Sequence, residues 1–514
     1  MSQVRSVVVS SSSRVVAPAL AASLALLAIG TGAPGSDLAA ATYRVELFAR
    51  SGLTLWDSQW YAGHWTLDYS VLFPAIGWLA GIPAMDVACV LVAAWAFDRL
   101  SVARFGRAGR AGAVAFAVGT VVQVAIGQEP YLLGEALALV ALVLASGRRW
   151  PLAPLFALGS ALASPLAGAF LVLVAGAWVI GCWRRRWRPG VAVVTGAFVP
   201  VALLQALFPG QGTMPFASVN FVSMLVALVP IAVIAARYDR TISLGVGLYT
   251  LALILAYMLP SAVGANVTRL GACFGVAIVV MLAPDARPGR VLLLTAAVPL
   301  ALAQWIPAWP ALLGDGNAST DAAYFRPLLS YLRRADHPLA RAEVVPTALH
   351  WEAAYVAPYF PLARGWERQL DTVDNPIFYS STPLSSHSYR AWLLDNGVRF
   401  VALPNVPLDY SAYAEARMLR AGVPGLRLTW HSTNWRVYAV IGAHGLLSGP
   451  ARLVSANGSA IRLEVTRPGA VLVREHFVDA WQVAQGSATI TEGRGGWLDV
   501  HAARAGPVTL QISL

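Results

Sequence analysis

Apolar residues run through positions 1–313 in long stretches, broken by short clusters rich in arginine, glycine and proline. Eleven stretches stand out, near 15–32, 70–97, 111–127, 131–146, 152–164, 166–182, 191–208, 217–236, 241–259, 269–284 and 291–308. A helical membrane crossing needs about 20 apolar residues, with about 17–25 tolerated. The stretch at 152–164, ahead of Ser164-Pro165, is short for that. The one at 70–97 is too long unless it bends at Gly81-Ile82-Pro83. Beyond residue 313 the periodicity changes. Tyr324, Leu328, Tyr331 and Leu332 mark a helix over 321–335. Positions 343–346 and 398–403 read as short buried strands with a helix at 388–396 between them, the makings of a small α/β unit. After Gly449 the pattern predicts strands at 461–466, 470–474, 488–491, 497–501 and 508–513, spaced as in a β-sandwich. The expected fold is a mainly α-helical polytopic membrane protein of about eleven spans over 1–313. An α/β domain over 314–445 and a β-sandwich-like domain over 446–514 follow it.

Composition agrees, with 57% hydrophobic and 12% charged residues, values rare in soluble domains. The formal net charge is +11, and with no lysine present all 37 basic residues are arginine. Their placement carries the information. With the N-terminus in the cytoplasm, inward connections hold sixteen arginines: 5, 14, 99, 104, 107, 110, 148, 149, 184, 185, 186, 188, 237, 240, 287 and 290. Outward connections hold three, Arg44, Arg50 and Arg269. That asymmetry is the positive-inside signature, and it puts the Asp57 loop and the C-terminal region from about Gly314 outside the cytoplasm. A nucleic-acid partner is not expected, because the basic residues are spread over inner loops instead of gathered on one soluble face. Arg14, the apolar run after it and Thr31-Gly32-Ala33 also fit a signal peptide; an uncleaved first span is the preferred reading. Cys89, Cys182 and Cys273 lie in or beside apolar segments, so neither a disulfide framework nor a metal-ligand spacing is present.

Chemistry concentrates in the first outward loop, Leu53-Thr-Leu-Trp56-Asp57-Ser-Gln-Trp60-Tyr61-Ala-Gly-His64-Trp65-Thr-Leu-Asp68-Tyr69. Its rings serve either as an interfacial aromatic belt or as a stacking surface for sugar rings or a lipid head group. Asp57 and Asp68 are either solvated loop acids or, in the case of Asp57, a partly desolvated carboxylate suited to act as a base or hold a metal. Positions 38–53 form an amphipathic helix, expected to turn Leu38, Val45, Phe48 and Leu53 to lipid and Arg44, Glu46 and Arg50 to water. The next outward turn offers Glu129. Glu135 follows inside a span, where an ionised carboxylate costs roughly 2.5–3.5 kcal/mol. Such an acid is either a functional group or a neutral side chain bonded to a neighbouring helix. Arg269, in the turn Ser261–Leu270, either binds an anion such as phosphate or snorkels to lipid head groups.

This layout resembles the GT-C glycosyltransferases. The residues that carry the resemblance are Trp56-Asp57-Ser-Gln-Trp60-Tyr61-Ala-Gly63, Pro130-Tyr-Leu-Leu-Gly134-Glu-Ala-Leu-Ala-Leu, Ser164-Pro-Leu-Ala-Gly168 and Asn266-Val-Thr-Arg269-Leu. They are also similar to actinobacterial multi-span membrane proteins. The resemblance implies that Asp57 is the catalytic base and Glu129 a second acid. Trp56, Trp60, Tyr61, His64 and Asn266 would bind substrate, and Arg269 would hold a lipid phosphate. The implied partners are a polyprenyl-phosphate-linked sugar donor, a cell-envelope glycan or glycolipid acceptor, and membrane lipids; a divalent cation, Mg or Mn, is the one cofactor it leaves open. The chain departs from the family in having no Asp-Asp or Asp-Glu pair after the first span, and Asp57 and Asp68 are too far apart for a DxD motif. Farther along, Trp366-Glu-Arg-Gln-Leu370, Trp435-Arg-Val-Tyr438 and His476-Phe-Val-Asp-Ala-Trp481, ahead of Gly495-Gly-Trp497, are similar to the tails of other large GT-C-like proteins. Those tails imply glycan binding, while the same aromatics also fit a sandwich core. Two other readings stand. One is a transporter or lipid-handling protein using Asp86, Glu135 and Arg269, for which inverted repeats are expected. The other is a non-catalytic scaffold that presents the exported domain.

Overall fold

The computed structural model describes residues 15–32, 35–182, 187–210, 212–287, 289–313, 316–335, 340–457 and 459–513. Arg5, Arg14, Ala33 and the arginines at 184, 185 and 186 lie outside the described residues. The chain divides into two compact units. One comprises Met1–Gly35, Tyr69–Pro209 and Met214–Asp315, the other Ser36–Asp68, Gly210–Thr213 and Gly316–Leu514.

The first unit is a helical bundle. Among the described residues, seven helices are long and apolar enough to cross a bilayer: Arg107–Ile126, Glu129–Ser146, Trp187–Leu207, Ser218–Tyr238, Arg240–Met258, Gly264–Leu282 and Arg290–Leu313. An eighth candidate is the pair Phe73–Ala80 and Ile82–Phe105, bent by 110° at the expected Gly81. The remaining three expected spans are apolar helices shorter than a full crossing, Val16–Gly30, Trp150–Ala163 and Pro165–Gly181. The last two are separate because Ser164 is extended ahead of Pro165, the conformation that a following proline imposes. Leu26, Leu79, Phe198, Val226, Met258, Val291 and Leu302 are all largely exposed on this unit. Water does not tolerate such a surface, and on crossing helices it is the lipid-facing side. The chain is a multi-pass membrane protein. Small residues let the helices approach closely: a Cβ on Gly134 would stand 2.7 Å from the Ala167 Cβ, and one on Gly168 would stand 2.8 Å from the Ala161 Cβ. Arg104 pairs with Asp239 at 2.6 Å, and Asp239 also caps Arg240–Met258 by accepting from the Thr241 and Ile242 amides.

The second unit holds the sheets. One has strand order Arg341–Val344, Val398–Pro404, Trp435–Val440, Leu426–His431, with the first pair parallel and the others antiparallel. Side chains alternate across it. Phe400, Ala402 and Val437 join Tyr324, Phe325, Leu328 and Leu332 of the helix Ala322–Ala335. Val401, Leu403 and Val440 join Tyr389, Trp392 and Leu393 of Ser386–Asp395 and Leu419 of Tyr413–Ala421. Two four-stranded antiparallel sheets follow. Their inward faces alternate as a sandwich requires: Ile461, Leu463 and Val465 in one sheet, Leu498, Val500 and Ala502 in the other. Trp481 and Trp497 are buried with them, as core residues.

Residues 36–68 belong to this second unit. The helix Leu38–Ser51 buries Ala40, Tyr43, Arg44 and Leu47, the i, i+3, i+4, i+7 face. Tyr43 and Leu47 share one core with Trp60, Tyr61, Tyr324 and Trp435. This corrects the expected facing. Val45 and Phe48 are only half-buried and Leu53 is exposed, whereas Arg44 is inside, ion-paired with Glu367. An arginine on the buried face is tolerated because that carboxylate neutralises it.

Candidate functional site

The loop around Asp57 is built on a two-residue ribbon. Trp56–Asp57 pairs antiparallel with His64–Trp65, which sets Asp57 opposite His64. The link between them turns through three consecutive positive φ angles, 56° at Tyr61, 62° at Ala62 and 109° at Gly63. Gly63 has no substitute: a Cβ there would meet the Trp56 ring at 2.3 Å and Glu475 Oε1 at 2.5 Å. Tyr61 and Ala62 carry side chains in the same region, a strain of about 1–3 kcal/mol each that surrounding contacts must hold. They do so at several points. The Ala62 carbonyl accepts from the His476 amide at 2.8 Å. The Tyr61 hydroxyl donates to the Glu367 carbonyl at 3.0 Å, and Trp60 Nε1 donates to the Ala353 carbonyl at 3.3 Å.

Asp57 is completely buried. Its Oδ2 accepts from the Tyr43 hydroxyl at 2.8 Å and its Oδ1 from the Gln59 amide at 3.2 Å. Burial dominates and pushes the carboxyl up to about 6, against the pull of those two bonds and of Arg44. His64 stacks on Trp60 at 5.5 Å. Burial, with Arg44 nearby, pushes this imidazole down to about 3, so it is neutral. A second buried acid escaped the sequence reading. Glu475 accepts from Trp56 Nε1 at 2.9 Å and pairs with Arg341 at 3.2 Å. Its carboxyl is raised to about 7, mainly by burial, and Asp57 adds to the rise. Two carboxyls whose proton affinities lie close to neutral pH, Asp57 of the loop and Glu475 of the strand beside it, thus meet around Trp56, a setting associated with acid–base work.

The aromatic residues form neither an interfacial belt nor an open stacking surface. Trp56, Trp60, Tyr61 and Trp65 are all buried. Tyr43 stacks on Trp60 at 4.4 Å, Trp56 meets Trp65 and Trp481 edge-on, and the Arg44 guanidinium lies 5.4 Å over Trp60. Their role in this geometry is to hold Asp57 and exclude water from it.

Alongside lies an ionic cluster that nothing in the sequence pattern announced. Arg364 binds Asp371 through Nε–Oδ1 at 3.0 Å and Nη2–Oδ2 at 2.5 Å, and reaches Glu415 at 3.5 Å. Burial alone would raise the Asp371 carboxyl, but Arg364 holds it below the ordinary range. Glu343 is fully buried, and neither of its oxygens has a hydrogen-bond partner among the described residues. Burial first, then Glu415, pushes it well above the usual carboxylate range.

The other expected site residues belong to the membrane unit. Glu129 is buried in the first turn of Glu129–Ser146. Asn266 sits in the short helix Gly264–Val267 and Arg269 in the first turn of Thr268–Leu282. The Arg269 guanidinium lies 5.7 Å over the Tyr131 ring, which joins the starts of Glu129–Ser146 and Thr268–Leu282. Glu135 accepts from Gln123 Nε2 at 2.9 Å, and the same nitrogen approaches Cys273 Sγ at 3.0 Å. Tyr131 and Glu135 line a cavity of about 550 Å³ whose other walls include Phe97, Leu139, Phe170 and Phe274. Its lining is overwhelmingly apolar. Among the described residues no group of three His, Cys, Asp or Glu side chains is placed to hold a metal ion, so no metal-dependent step is derived.

No protein-family model matches the chain, and no curated protein matches it in sequence. Among solved structures, the chain is similar to the arabinofuranosyltransferase AftD from Mycobacteria, with 18% identity and a TM-score of 0.49, over 91% of this chain and 42% of that one. A mutant form of AftD matches with 15% identity and a TM-score of 0.49, over 99% of this chain and 60% of that one. The chain therefore spans less than two thirds of the length of either structure it resembles.

Proposed function

We propose that this protein is a GT-C membrane glycosyltransferase. It moves a hexosyl or pentosyl group from a polyprenyl-phosphate donor to a cell-envelope glycan or glycolipid on the outer side of the membrane. The observation that carries the reading is Asp57, a water-shielded carboxylate raised to about 6 and anchored by Tyr43 inside a strained loop. At neutral pH it is ionised yet more basic than a surface aspartate, the property a general base needs. Asp57 takes the proton of the acceptor hydroxyl as that oxygen attacks the anomeric carbon. The bond from that carbon to the phosphate oxygen breaks, its electron pair leaves with the polyprenyl phosphate, and configuration inverts. Because Asp57 is buried, the acceptor reaches it only when the Tyr61–Gly63 turn opens, and the strain at Tyr61 and Ala62 lowers the cost of opening.

The membrane unit supplies the donor's requirements. The apolar cavity takes an isoprenoid chain, Arg269 takes the phosphate, and Glu129 assists at the same end. The arginine asymmetry directs the N-terminus inward and the C-terminal sheets outward. Alkaline phosphatase fused after Ile512 should accordingly be active, and an inactive fusion with a fluorescent GFP counterpart would reverse the orientation. Lipid handling without transfer is the second reading, since the same cavity suits it. Transfer of labelled sugar from a polyprenyl-phosphate donor by the protein in nanodiscs separates the two. Arg269→Gln should raise the donor KM about tenfold or more, the scale of one lost charge-assisted contact, with kcat less affected. An unchanged KM would remove Arg269 from the donor site.

A further inference from the structure

The groups around Asp57 are closed to solvent, but one pair next to them is not. His476 follows the buried Glu475 at the end of the strand Gly469–His476. Its amide holds the Ala62 carbonyl at 2.8 Å. The strained turn is therefore pinned at Ala62 by this histidine's backbone. Trp497, 5.0 Å from the imidazole, backs the ring and limits its rotation. On the open side, His476 Nε2 stands 3.9 Å from Asp374 Oδ1, and the two side chains are 29% and 11% exposed.

That distance is too long for a direct hydrogen bond. It is, however, short enough for one hydroxyl oxygen to sit about 2.8 Å from both atoms at once. A neutral imidazole carries one N–H and keeps its other ring nitrogen as a lone-pair acceptor. Burial, with Arg341, pushes the imidazole down to about 4, so the ring is neutral. Burial and Asp371 raise the Asp374 carboxyl to about 7, so at neutral pH it both donates and accepts. Such a pair suits an uncharged polyhydroxylated ligand, while an anion would find no positive charge on it.

We propose that His476 and Asp374 form a hydroxyl-binding subsite for the acceptor sugar, directly bonded to the turn that covers Asp57. This rests on the transferase reading for the sugar's role, but the contact is a binding event that can be measured without transfer. A hydroxyl bound there pulls on the histidine whose amide pins Ala62, which links acceptor arrival to opening of the turn. His476 and Asp374 are thus binding and positioning residues, and Asp57 remains the base.

The test is a titration of the full-length protein in nanodiscs with 15N-labelled histidine, the His476 signal being identified by its loss in His476→Gln. Methyl D-arabinofuranoside and methyl D-mannopyranoside are the probes, with glycerol as a non-cyclic control. At least one glycoside should shift the His476 ring signal saturably while the other seven histidines stay in place. Asp374→Asn should weaken that glycoside about tenfold or more, with the native histidine pattern showing that the variant is folded. No His476 shift with either glycoside, equal affinity in Asp374→Asn, or an equal response to glycerol would overturn the subsite. Failure here with Asp57-dependent transfer intact leaves the transferase reading standing; saturable binding without transfer does the reverse.

Discussion

Asp57→Asn is expected to make the protein more stable at pH 8 while abolishing sugar transfer. The carboxyl is raised to about 6 in the folded protein from an ordinary value of 3.8. A raised acid means that the folded state binds the proton more tightly. Its contribution is therefore fully present below pH 3.8 and is lost as pH rises through about 6. A tenfold difference in proton affinity is worth about 1.4 kcal/mol, so the buried charge costs about 3 kcal/mol at pH 8. Asparagine removes that charge and still offers an oxygen to the Tyr43 hydroxyl. The thermal midpoint should rise by a few degrees at pH 8 and change little at pH 4. Destabilisation that is larger at pH 8 than at pH 4 would show the carboxylate to be a structural anchor. A residue retained at a cost to stability is what a functional role requires.

Arg364→Ala is expected to have the opposite effect and the larger one. Arg364 is the cation bonded to Asp371 and Glu415, both buried, with Glu343, its carboxyl raised by burial, beside them. Removing one partner of a buried pair leaves an uncompensated charge and costs about 3–5 kcal/mol. The expected result is loss of folded protein from the membrane fraction, or a midpoint lowered by about 10 °C or more. Glu343→Gln should by itself stabilise the protein at alkaline pH, since Gln cannot ionise. The sign follows from the raised Glu343: its contribution is lost as pH rises above the unfolded value of 4.5. A stability of Arg364→Ala equal to the parent's would show that the cluster finds its countercharge elsewhere.

The apolar periodicity gave the membrane half well, because every expected stretch forms helix and the bend at Gly81 falls where it was read. It also separated the stretches at 152–164 and 166–182, and the structure ends a helix between them at the extended Ser164. In the C-terminal half, strands such as Val398–Pro404 and Gly506–Ile512 were visible from β-branched runs. The strands Leu426–His431 and Ala451–Asn457 were not, because Arg427, Thr429, Arg452 and Ser455 interrupt their apolar positions. The site was legible only as a local cluster. Asp57 and the aromatics beside it could be read from one loop. Tyr43 lies 14 residues from Asp57, and Glu475 lies 419 residues from the Trp56 that binds it. No local pattern marks such partners. The same blindness sent Arg44 to water, when Glu367, 323 residues away, draws it inside.

The central claim is that Asp57 is the base of an outward-facing transferase. Its most direct test is to profile envelope glycans and glycolipids in a deletion strain carrying either the parent chain or Asp57→Asn, at equal membrane levels. One glycan or glycolipid should be truncated in the deletion strain, restored by the parent chain and left truncated by Asp57→Asn. Full restoration by Asp57→Asn would contradict the claim.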